Sequence, residues 1–145
     1  MRWKLLASGD KATYALIFDS GDEVVETMKT FANEHSLKAS SFKAVGAFSE
    51  ATLGYFDYSI KDYKKIPVNE QVEVLSLIGD VALFGNESKV HMHVVLGREN
   101  GNAIGGHLLH AIAHPTLEVI LEESPSYLQK RIDKETGLAL IDIGE

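Results

Sequence analysis

The chain has no cysteine among its 145 residues, so disulfides, thiolate metal sites and cysteine nucleophiles are all excluded. A chain without cysteine fits a reducing compartment, and a cytoplasmic location is the expectation. Long apolar runs are missing as well. No window approaches the roughly 18 apolar residues of a membrane span, and the apolar run in "MRWKLLASGD" is too short for a signal core. Basic clusters are scarce: 14 Lys and Arg face 21 Asp and Glu, a net charge of −7, with "YKK" and "QKR" as the densest basic spots. Non-specific nucleic-acid binding runs on cationic surface and counterion release, so direct binding of nucleic acid is not expected. Repeats, low-complexity tracts and linkers are also absent, so a single domain over residues 1–145 is expected.

What the chain does have is ordinary globular composition, 45% hydrophobic and 24% charged. "RWKLLAS" and "ATYALIF" read as two strands broken by "GDK". One main helix is predicted over about 22–35, with Val24, Val25, Met28, Phe31 and Ala32 at helical spacing. Ser20 or Asp22 is its expected cap. Beyond it the pattern is mostly β. "SSFKAVGAFSEATLGYFDY" reads as two strands around Ser49-Glu50, and "QVEVLSLIGDVALF" as strand broken at Gly79-Asp80. "KVHMHVVLG", "AIGGHLL", "PTLEVILEES" and "GLALIDI" read as further strands. The fold class that follows is α+β, a mostly antiparallel sheet or open barrel with one flanking helix. Such a sheet has edges to cover, which favours self-association.

Five of the six histidines lie between Lys89 and His114. Along a strand from Val90 to Leu96, side chains alternate between faces. Val90, Met92, Val94 and Leu96 then share an apolar face, while His91, His93 and Val95 share the other. A hairpin through "RENGN" centred on Asn100 sets residue 93 opposite residue 107, which adds His107 to the histidine face. A one-residue slip in register would send it to the opposite face. Three imidazoles on one ion, with a fourth position left for water or substrate, is the pattern of a catalytic zinc site. A competing arrangement makes Gly106–His114 helical, with His107, His110 and His114 on one helix face. Otherwise His110 and His114 read as bystanders, and His35 as a residue interacting favourably with the dipole at the helix end.

"VEVLSLIGDVAL", "HMHVVLGRENGNAIGGHLL" and "PTLEVILEE", with the earlier "AVGAFSEATLGYFD", resemble the plants-and-prokaryotes-conserved (PPC) domain over essentially the whole chain. The resemblance implies an α+β fold and a homotrimer. It implies that His91, His93 and His107 hold zinc or a similar divalent metal near subunit contacts. Plant members of the family join this domain to AT-hook segments that bind DNA. No R-G-R-P core occurs here, so the family's DNA-binding label has no residue to rest on. The fold and histidine spacing also resemble acetolactate decarboxylase. That analogy implies a metal-dependent lyase or hydrolase acting on a small oxo or hydroxy acid at the metal. A regulatory or protein-interaction module is the other alternative.

An enzyme would add an acid or base within reach of the metal. The candidates are Glu118, Glu73, Glu50 and Arg98, the last able to hold a carboxylate. Glu50 stands where the family commonly has Asn. Gly105 and Gly106, directly before His107, permit a bulge or a close backbone approach.

Overall fold

A computed structural model describes residues 1–144; Glu145, the last residue of the expected domain, lies outside the described residues. One helix and nine strands are present among them: β1 (Arg2–Ala7), β2 (Ala12–Asp19), α1 (Val24–Glu34), β3 (Ala39–Asp57), β4 (Asp62–Val68), β5 (Val72–Phe84), β6 (Glu87–Gly97), β7 (Ala103–Glu123), β8 (Gln129–Ile132) and β9 (Ala139–Asp142). The class is α+β, and every strand pairing is antiparallel except the single β5–β8 contact at Leu83 and Gln129. β3 pairs with both β5 and β7, and β6 closes the circuit by pairing with the same two strands. The sheet is therefore ring-like. β2 extends it from β7, β1 lies beyond β2, and β4 pairs with β3.

Three strands are longer than the sequence pattern suggests. β3 runs unbroken through Ser49-Glu50, because that segment stays paired with β7 across shifts in register. β5 runs through Gly79-Asp80, where a Cβ on residue 79 would strike the Phe42 ring and the His91 carbonyl; this glycine is a close-packing site within a strand. β7 carries the chain from Ala103 to Glu123 in one piece, so Gly106–His114 is strand and the helical alternative for its histidines fails. β4 and β8 carry no clear apolar alternation and are not anticipated by the pattern.

The helix buries Val24, Val25, Met28, Phe31 and Ala32, the five residues picked out by helical spacing. Its cap differs from expectation. Glu23 accepts a hydrogen bond from the Glu26 N–H at 2.6 Å, while Asp22 bonds the chain's N-terminal amine at 2.7 Å. His35 ends the helix, stacked on Phe31 with ring centroids 4.0 Å apart. Phe18, Phe48, Leu53, Leu77, Leu96, Leu108 and Leu117 fill one contiguous core. Burial of this apolar area, at about 25 cal/mol per Å², is the main term holding ring and helix together.

Candidate metal centre

β6 alternates as read from the sequence. Val90, Met92, Val94 and Leu96 are buried, and His91 and His93 point from the other face. Residues 98–102 turn tightly: Gly101, with φ of 82°, donates its N–H to the Arg98 carbonyl at 2.9 Å, and the Arg98 N–H bonds the Asn102 carbonyl. The resulting register pairs His93 directly with His107. All three imidazoles thus meet on one side of the ring, each offering a nitrogen within 4.8 Å of the others.

The double glycine makes this approach possible. A Cβ on Gly105 would lie 2.8 Å from the Val94 carbonyl oxygen, and one on Gly106 would lie 2.9 Å from that of Gly54. Two side-chain-free positions let β7 close on β6 and β3 together, just before His107. Tyr63 of β4 then stacks on the His107 ring at 4.7 Å, fixing its plane.

His91 Nε2 and His93 Nε2 are 3.2 Å apart. Two ligands at zinc bond lengths in tetrahedral geometry sit about 3.3 Å apart, so the pair is spaced for one ion. An imidazole–imidazole hydrogen bond has the same spacing, so this distance alone does not decide. His107 is more telling. Its Nδ1 is buried and has no hydrogen-bond partner among the described residues. The protein leaves this ring with an atom to satisfy, and an ion bound at that nitrogen would satisfy it. The donor set, three nitrogens without thiolate, suits zinc or a similar divalent metal.

The surroundings favour the neutral form of His107 and His93. Burial first, then the charges of His91, His93, Lys130 and Lys89, push His107 down to about 4. Burial and His91 likewise lower His93, against a small opposing effect of Asp80. Neutral imidazole is the form that binds metal. His91 Nδ1 meets Asp80 Oδ2 at 3.2 Å, an outer partner of the kind that orients a ligating histidine. Asp80 is held in turn by Lys130, whose ammonium lies 2.8 Å from Oδ1 and whose side chain is 3% exposed. Burial disfavours the Asp80 carboxylate, but bonds from His91 and Lys130 outweigh it and keep its pKa low.

Sequence reasoning missed both Asp80 and Lys130. Asp80 was within reach: Gly85-Asn86 is a two-residue hairpin turn between Phe84 and Glu87, and its register puts residue 80 opposite residue 91. Lys130 carried no such signal. It comes from β8, and nothing local ties that strand to β5.

The cluster lies in a cleft of about 860 Å³ walled by β3 and β4, by β6 and β7, and by the β8–β9 hairpin. The acid–base candidates lie elsewhere. Glu118 faces outward beside Ile17 and Val45, eleven residues along β7 from His107 and outside the cleft lining. Glu73 is exposed at the Gly97 end of β5. Arg98 is ion-paired with Glu70 at 3.0 Å. Glu50 contacts His110 Nε2 at 3.5 Å, while Glu23 contacts His110 Nδ1 at 3.1 Å. His110 therefore bridges two carboxylates, and His114 Nδ1 contacts the Ser20 hydroxyl at 2.8 Å.

A ring-like antiparallel sheet with one packed helix and a three-histidine cluster in a cleft defines the class. The family follows from comparison: residues 6–125 match the Plants and Prokaryotes Conserved (PCC) domain, and the chain belongs to that family. A plant- and prokaryote-conserved protein from Pyrococcus horikoshii is 30% identical with a TM-score of 0.84, covering 99% of this chain and 96% of its own. A metal-containing protein from Archaeoglobus fulgidus is 30% identical with a TM-score of 0.82, covering 97% and 98%. A protein from Bacteroides thetaiotaomicron provisionally described as DNA-binding is 26% identical with a TM-score of 0.86, covering 97% and 96%. Acetolactate decarboxylase from Bacillus subtilis shares the fold distantly, at 13% identity and a TM-score of 0.57, covering 87% of this chain and 58% of its own. No curated protein matches the chain.

Proposed function

We propose that this protein binds zinc or a similar divalent ion through His91, His93 and His107, as a cytoplasmic homotrimer. The observation that carries the reading is the convergence of three imidazole nitrogens within 4.8 Å, with His107 Nδ1 buried and unpartnered. The metal-containing relative from Archaeoglobus fulgidus supports it. Support for self-association comes from the outer sheet face. Ile78, 60% exposed, sits opposite His93, and Val45 is 57% exposed. Exposed apolar side chains of this size, one of them directly opposite His93, favour cover by another subunit.

A second reading, metal-dependent chemistry on a small organic acid, draws support from the cleft. An ion held by three protein nitrogens in an open cleft keeps a position for water or substrate, unlike an enclosed structural site. Such an ion would lower the pKa of bound water or polarise a carbonyl. Duplex DNA is not part of the proposal, because the chain carries −7 overall and repels phosphate at long range. The test is metal analysis of protein purified without a histidine tag. About one divalent ion per chain is expected, falling to background in His91→Ala/His93→Ala. Equal metal in both proteins would overturn the reading.

A further inference from the structure

Within a chain of net charge −7, the cleft is an island of opposite sign. Lys29, Lys89 and Lys130 line it with Asp80. Two of these lysines are neutralised: Lys29 lies 2.6 Å from Glu26, and Lys130 lies 2.8 Å from Asp80. Lys89 has no ion pair among the described residues. It lies two residues before His91 on β6, so by strand alternation it shares the face of His91 and His93, about 7 Å along the strand. A divalent ion on three neutral imidazoles would add two uncompensated charges beside it. Uncompensated positive charge lining a cleft concentrates anions there.

The rest of the lining is apolar or aromatic. One wall carries Tyr55, Phe56 and Leu109, and the facing hairpin carries Ile132, Leu138 and Leu140. That hairpin lies beyond residue 125, outside the segment that matches the family. A cleft of about 860 Å³ is far larger than a three- or four-carbon acid requires. It falls in the upper part of the roughly 300–1,000 Å³ range of pockets that enclose drug-sized ligands.

We propose that the cleft receives an organic anion with a bulky apolar or aromatic body, its carboxylate or phosphate held at Lys89 and the histidine centre, its body against the β8–β9 hairpin. The role of the ion rests on the function proposed above; the roles of Lys89 and the hairpin do not. The ligand class is therefore larger than the small oxo acids suggested by fold analogy alone.

Calorimetric titration of the zinc-loaded chain with phenylacetate, acetate and 2-phenylethylamine tests it, with phenyl phosphate as a further arm to separate carboxylate from phosphate. At least one aryl anion should bind tenfold or more tighter than acetate, and the amine should give no heat. Lys89→Gln should weaken that anion about fivefold or more at unchanged metal content. Leu140→Asn should weaken the aryl anion and leave acetate as it was. Equal affinity for acetate and both aryl anions, tight binding of the amine, or an unchanged Lys89→Gln variant would each overturn the proposal. Metal content is read on the same samples. If the chain takes up no metal, the metal reading fails by itself; aryl-anion binding that still depends on Lys89 would uphold the ligand class, and its absence would overturn it.

Discussion

His107 stays neutral where a free imidazole near pH 6 would take a proton. Burial and the neighbouring cations lower it to about 4, against about 6.5 for an unperturbed histidine. In metal-free protein its ring carbons, followed by NMR, should titrate with a midpoint near 4; a midpoint at 6 or above would contradict the described environment. The linkage has a definite sign. Between about pH 4 and 6.5 the unfolded chain binds a proton at this residue that the folded chain does not, so this contribution to stability grows as pH rises through that window. Urea midpoints of the metal-free protein, compared with a His107→Gln variant, should show that part of the pH slope removed. At this scale much was legible in advance. Strand alternation and the Asn100-centred turn suffice to bring His91, His93 and His107 to one face. Asp80 was obscured by reading Gly79 as a break, when the glycine serves the close approach of Phe42.

The long strands of the ring set how well the three histidines can meet. Gly106 sits where β7 passes close to β3, with the would-be Cβ 2.9 Å from the Gly54 carbonyl oxygen. Backbone atoms cannot yield as a flexible side chain can, so Gly106→Ala should cost about 1–3 kcal/mol and weaken metal binding by shifting His107. Thermal unfolding and a zinc competition assay would check both effects. The β8–β9 hairpin acts through Lys130. Lys130→Met leaves Asp80 without its cation, and removing one partner of a buried pair costs about 3–5 kcal/mol when burial is complete. Asp80 retains 30% exposure, so about 1–3 kcal/mol is the better expectation here. Metal affinity should fall too, as Asp80 loses its fixed position beside His91, and Lys130→Arg should restore part of it. No loss of affinity in Lys130→Met would remove Asp80's anchor from the account. Elements such as β8 escape sequence reading because their pairing is non-local: four residues join a sheet through one register contact at Leu83.

At the scale of the molecule, the α+β class and the dominance of antiparallel pairing follow from period-two patterning and one amphipathic helix. Closure of the ring does not, because it depends on β3 and β7 bending through several register shifts while remaining continuous. The outward apolar side chains at Val45 and Ile78 lead to a prediction for assembly. Light scattering should give three chains per particle, and Ile78→Asp should shift the particle toward monomer with its fold intact; a monomeric parent would contradict the trimer. The claim on which the rest depends is an ion at the three histidines. Its most direct test is a crystal grown with zinc, with anomalous data collected on both sides of the zinc edge. The account predicts one strong peak per chain, present only above the edge, about 2.0–2.1 Å from a nitrogen of each of His91, His93 and His107. A zinc-loaded crystal with no peak among these three rings, or with its only peak elsewhere, would contradict it.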